Sequence, residues 1–138
     1  MTMPKAGDVW SYEYLWKREH EAGAEHGRKP RPTAVVTTVV GADGRTHLFI
    51  LPITSRAPGG DRLSLEVPQI ERRRAGLASD LRLWIIFDEY NHEIAESSFY
   101  LDPNGWRGAF SSAFTTNTLR LFTQAMRERK VKRVPRTD

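Results

Sequence analysis

The sequence predicts a mainly β fold carrying one amphipathic helix near its C-terminal end, and three stretches carry that prediction. Trp10, Tyr12, Tyr14 and Trp16 recur at every second position, the period of a strand with one aromatic face over Val9 to Trp16. Thr33 to Val40 is dense in β-branched residues, Gly41-Ala42-Asp43-Gly44 supplies turn chemistry, and His47 to Ile53 resumes an apolar run, the pattern of a hairpin. From Thr118 to about Lys130, with Asn117 or Thr118 as cap, Leu119, Phe122, Ala125 and Met126 fall on one helical face while Arg120, Arg127 and Arg129 point elsewhere.

The elements between these follow from punctuation. Charge, glycine and proline over Lys17 to Pro30 predict a long, mobile loop. Ala57-Pro58-Gly59-Gly60-Asp61 is a turn, and Leu63 to Val67 a short strand. Pro68 can serve as the first residue of a helical turn that Gln69 to Ala75 continues to a stop at Gly76. Leu83 to Phe87 reads as a buried central strand, whereas Pro103, Asn104, Gly105 and Gly108 predict irregular structure between Ser97 and Ser112. No repeat or long linker divides the chain, so residues 1–138 are expected to form one domain with a basic tail from about residue 130.

At 138 residues such a domain buries about two-thirds of its unfolded surface without a staple. The absence of cysteine excludes disulfides and thiolate metal sites and suits a cytoplasmic location. No stretch of 18 apolar residues occurs and the first seven residues hold no apolar run, so neither a membrane span nor a signal peptide is expected. The net charge of +4 is unevenly spread: residues 120–138 hold seven Lys or Arg against two acids, while the preceding 119 residues hold 14 against 15. Such a tail suits a polyanion or an acidic partner, or is a solvated terminus.

Several local patterns occur in a fixed order: Gly7-Asp8-Val9-Trp10, then Arg31-Pro32-Thr33-Ala34-Val35-Val36, then Pro52-Ile53-Thr54-Ser55. Together they resemble the PemK/MazF family of toxins, with its Gly-Asp opening strand, its Arg-Pro followed by an apolar strand, and its Pro-Ile-Thr strand end. Leu65-Glu66-Val67-Pro68, the Trp84-containing run that ends in Glu89-Tyr90-Asn91, and Val134-Pro135-Arg136-Thr137-Asp138 are similar to a PemK-like branch. The resemblance implies an SH3-like, CcdB/PemK/MazF-type barrel with a C-terminal helix. It implies a homodimer that cuts single-stranded RNA sequence-specifically without a metal or other cofactor, held in check by a cognate antitoxin.

Metal-free RNA cleavage asks a 2′-hydroxyl to attack its neighbouring phosphorus, so the site must accept a proton, donate one and stabilise charge on the phosphate oxygens. Residue by residue, the resemblance puts the charge-stabilising role on Arg31, whose planar fork suits a phosphate. It puts a hydroxyl bond to the scissile phosphate on Thr54, with Ser55 able to share it. An arginine at a strand start and hydroxyls before a turn are also ordinary structural features. In some family members an acid serves after the Trp-type strand; here Asp88 or Glu89 occupies that region, on opposite faces if strand alternation holds. Where one branch has an arginine two residues before the acid, this chain has Phe87.

Asn91 could read a base edge or simply form a turn, and Trp16 could stack a base or belong to a core or dimer interface. Arg28 and Lys29 form with Arg31 a cationic rim on which RNA and an acidic antitoxin segment would compete. Arg72-Arg73-Arg74 reads as a solvated face, and His20, His26, His47 and His92 match no firm metal or catalytic spacing. Two other functions stay open: a CcdB-like topoisomerase poison on the same fold, and an inactive RNA- or protein-binding module.

Overall fold

The computed structural model describes residues 3–23, 29–98 and 101–136. The fold is mainly β. Its strands are β1 (Asp8–Tyr12), β2 (Arg31–Val40), β3 (Thr46–Thr54), β4 (Ser64–Glu66), β5 (Trp84–Ile86), β6 (Glu89–Ile94), β7 (Leu101–Ala109) and β8 (Lys132–Pro135). Its helices are α1 (Lys17–Glu21), α2 (Gln69–Arg74) and α3 (Ser112–Arg127). The sheet runs β4-β5-β3-β2-β1-β7, and β6 joins β3 to β8. Among the described residues only β6 and β8 pair in parallel. Among the described residues β4 and β7 end the path, so the sheet is not a closed ring. No helix among them is long and apolar enough to cross a membrane.

The β2–β3 hairpin forms where the β-branched run predicts it, with Thr33 opposite Pro52 and Val40 opposite Thr46. One irregularity, between Val35 and Thr37, bends it. A larger one shapes the neighbouring strand. Ile85 faces Ile53 and Asn91 faces Ile50, so the chain from 85 to 91 spends twice as many steps as β3 does. β5 and β6 are in effect one strand interrupted by a wide bulge at Phe87 and Asp88.

Two clusters fill the two faces of the sheet. One is mostly aliphatic, with Val9, Leu51, Ile53, Val67 and Ile85 covered by Phe122 and Ala125 of α3. The other gathers Trp10, Tyr12, Tyr14 and Trp16 with Val35, Leu48, Ile50 and Ile86. Gly7 sets the start of β1: its φ of +92° suits glycine, and a Cβ there would lie 2.6 Å from Thr115 Oγ1 on α3.

Several expectations need correction. Segment 17–30 begins as helix α1, which makes an i,i+4 ion pair from Lys17 to Glu21, rather than as loop. Segment 97–112 contains β7, not irregular structure. As an edge strand paired only with β1, it tolerates Pro103 and shifted register, and at Gly108 a Cβ would lie 2.6 Å from the backbone of Ala75. Helix α3 starts six residues before Thr118, capped by Ser111 Oγ, which accepts from Phe114 N. Thr118 is buried mid-helix and Met126 is exposed. The start of α3 is fixed from a distance: Glu71 of α2 accepts from both Ser111 N (2.8 Å) and Ser111 Oγ (2.7 Å). Arg72 is buried, donating to Val67 O and Ser79 O, so only Arg73 and Arg74 of that run are solvated. The basic tail is structured through Arg136, with Val134 buried in β8.

Candidate functional site

Arg31 opens β2 opposite Tyr12 of β1. Arg31 begins β2 and Thr54 ends β3, so both stand at the open end of the hairpin, two residues beyond its last pair, Thr33 and Pro52. The Arg31 guanidinium lies 5.4 Å from the centre of the Trp16 ring, which Arg18 also approaches at 4.8 Å. Its Nε is buried and finds no acceptor, and among the described residues no carboxylate pairs with it. The Thr54 hydroxyl accepts from Arg56 N at 3.1 Å and keeps its own proton to donate. Ser55 and Arg56 are exposed beside it.

The acids of the Trp-type strand behave differently from the alternation expected of them. Because the bulge falls at Phe87 and Asp88, both Asp88 and Glu89 turn to one cation, Arg62. Arg62 donates from Nε and one terminal nitrogen to Asp88 (2.9 and 2.6 Å) and from that nitrogen to Glu89 (2.9 Å). These bonds raise the Arg62 pKa further above its ordinary value against the opposing effect of burial. Glu89 also accepts from the Tyr14 hydroxyl and from Lys17 N, anchoring the segment that carries Trp16. The trio forms the floor of a groove of about 390 Å³ whose rim includes Lys17, Arg18, Lys130 and Lys132. The floor sets one cation against two acids, and on the rim Glu21 pairs with Lys17, so the groove's excess positive charge comes from Arg18, Lys130 and Lys132.

Other predicted contacts are placed elsewhere. Asn91 is fully buried and spends both ends of its amide on Leu15, accepting from its N (2.8 Å) and donating to its O (2.7 Å), so no edge is left for a base. Trp16 is only 6% exposed and covered by arginines, a core position rather than an open stacking platform. Lys29 is exposed two residues before Arg31, and Arg28 lies outside the described residues.

Sequence reasoning missed Arg18, Arg62 and Trp84. Trp84 faces Thr54 across β3 and β5 and carries Arg82 over its ring at 5.0 Å. The Leu83 to Phe87 strand already located Trp84, but nothing local signals Arg62, which sits 26 residues from its partner. The fold also unites two histidines that spacing left apart: His47 Nδ1 and His92 Nε2 lie 2.8 Å apart on β3 and β6, in a chain running from Asp43 to Arg133. Burial, then Arg133 and His47, lower the His92 pKa. Among the described residues no group of three or more His, Cys, Asp or Glu could hold a metal ion.

No protein-family model and no curated protein matches the chain.

Proposed function

We propose that this protein is a toxin of the PemK/MazF type, an SH3-like barrel protein that cuts single-stranded RNA without a metal and is restrained by an antitoxin. One observation carries the reading: an arginine with a buried, acceptor-free Nε stands with a threonine hydroxyl at one end of one hairpin. A scissile phosphate between them would give Arg31 its missing acceptor and take a bond from Thr54. As the 2′-oxygen attacks phosphorus, losing its proton to solvent, the bond to the 5′-oxygen breaks and that oxygen takes a proton from solvent. This leaves a 2′,3′-cyclic phosphate and a 5′-hydroxyl. On the way charge grows on the phosphate oxygens and the Arg31 bonds strengthen, which lowers the barrier. The Trp16 ring steadies Arg31, and the rim of Lys17, Arg18 and Lys132 holds flanking phosphates. Asp88 and Glu89, tied to Arg62, position the strand rather than transfer protons.

In this reading the active unit is a homodimer in the cytoplasm, and its interface does not use Trp10, Tyr12, Tyr14 or Trp16, all of which are buried within one chain. The antitoxin is an acidic segment that occupies the same cationic surface as RNA. Incubation of purified protein with a long RNA in excess chelator tests the activity. Cleavage by the unmodified protein and none by a folded Arg31→Ala variant is expected; undiminished cleavage by that variant would remove Arg31 from the mechanism. Absence of any cleavage by the unmodified protein would favour the topoisomerase poison or the inactive binding module.

A further inference from the structure

A second cavity, of about 300 Å³, lies where the start of β1 meets β7, lined by Lys5, Asp8, Trp10, Pro103, Trp106 and Ala109. Trp106 is 56% exposed on an edge strand, an unusual position for the largest apolar side chain. It is also held in place. Its Nε1 donates to Asp8 Oδ1 at 3.2 Å, and Asp8, 2% exposed, is fixed in turn by Lys5 N on its other oxygen at 2.9 Å. An exposed ring whose orientation is already fixed loses little entropy when another ring stacks on it.

The remaining walls suit a heteroaromatic ligand. Trp10 is buried and lends the cavity an apolar wall. Both carboxylate oxygens of Asp8 are occupied by neutral donors, so they face inward with their charge retained. The Lys5 ammonium pairs with no carboxylate among the described residues and stands exposed at the rim, where it can meet a ligand's anion. A flat ring with an attached anion fits this combination, and a nucleotide is such a ligand. The cavity also lies on the face that carries Arg31: Trp106 faces Trp10, Trp10 faces Thr33, and Arg31 is two residues along β2. Two strand spacings across and two residues along put the Trp106 and Arg31 backbones roughly 12 Å apart, within reach of neighbouring nucleotides on one strand.

We propose that this cavity binds one base of the single-stranded RNA, stacked on Trp106, with Lys5 on the adjoining phosphate. The identity of the ligand rests on the RNA reading above, while the cavity itself does not.

Binding of a short fluorescent single-stranded RNA to the Arg31→Ala protein, in which cleavage is expected to be lost, provides the test. Adding Trp106→Ala should weaken binding about 5- to 100-fold, the range for removing a base-stacking aromatic, and leave the salt dependence unchanged. Trp106→Phe should restore most of the affinity, because it keeps a ring. Equal affinity with and without Trp106→Ala would overturn the cavity proposal and leave the nuclease reading intact. Failure of the nuclease reading appears separately, as no cleavage by the unmodified protein. The cavity is then judged with adenosine and uridine monophosphate by tryptophan fluorescence, where the absence of Trp106-dependent quenching overturns it. Protection of Trp106 by an acidic peptide but by neither nucleotide would assign the cavity to a protein partner and also overturn the proposal.

Discussion

The two faces of β6 meet opposite kinds of core, and the contrast separates what builds this protein from what positions its site. On one face Tyr90 stacks on Phe49 and meets Phe122 edge-on within the mostly aliphatic cluster under α3. On the other, Glu89, Asn91 and Glu93 form a buried polar stripe facing the aromatic segment. Glu89 holds Tyr14, Asn91 holds Leu15, and Glu93 accepts from the Tyr12 hydroxyl at 2.8 Å. That hydroxyl also accepts from Arg136 Nε at 3.1 Å, so the stripe links the first strand to the last. Burial, reinforced by these carboxylates, pushes the Tyr12 and Tyr14 pKa values well above the ordinary phenol range. The aliphatic cluster rewards area and tolerates different shapes. The polar stripe fixes atoms, because an unmatched buried donor is costly.

The largest effect is expected on the aliphatic side. Leu51 is fully buried, and Leu51→Ala should cost about 2–5 kcal/mol in a denaturant titration, lowering the midpoint of the whole transition. A loss well below that range would mean that this face relaxes around cavities and does not dominate stability.

On the polar side a smaller and more local effect is expected. Asn91→Ala strands the N–H and C=O of Leu15 and should cost about 1–3 kcal/mol. Amide exchange should quicken at residues 15–17 before it does in β3, and RNA cleavage should fall with it, since Trp16 steadies Arg31. Uniformly faster exchange across the chain would erase the distinction between the faces.

The smallest effect is a pH dependence on which the two faces oppose each other. The folded-state pKa of His92 is lowered below 6.5, so below that pH the unfolded chain takes up a proton that the folded chain refuses. Its contribution is present above pH 6.5 and is lost as pH falls through the folded value. Glu93 works the other way: burial, partly offset by Tyr12 and Arg136, raises its pKa above 4.5, so its contribution is present below 4.5 and lost as pH rises through the folded value. His92→Gln should therefore flatten the loss of stability between pH 7 and 5 in parallel denaturation curves. An unchanged pH profile would show that the His47–His92 pair is not coupled to folding.

Local pattern sufficed for the elements whose neighbours in space are neighbours in sequence. The β2–β3 hairpin follows from β-branched residues flanking a glycine turn, and α2 from Pro68 and Gly76. The aromatic alternation of residues 10–16 foretold four rings in one cluster, although β1 stops at Tyr12 and Tyr14 and Trp16 follow it outside the strand. Arg31 and Thr54 were legible as residues flanking the open end of that hairpin. Tertiary structure decided the rest. Helix α3 begins with a threonine-rich turn of weak propensity, and its start is set by Glu71, forty residues earlier. Strand β7 contains proline and two glycines yet pairs, because it is an edge and approaches other backbone closely. Whether Asp88 and Glu89 share a face depended on a bulge visible only once β5 and β6 were both laid against β3, and their partner Arg62 lies in a different loop. Asn91 looked like a base reader and became a clamp, since its amide's partners are the backbone of a segment 76 residues away. Periodicity reports the side on which a residue stands; the partner that fills its hydrogen bonds is chosen by long-range packing, which no local window contains.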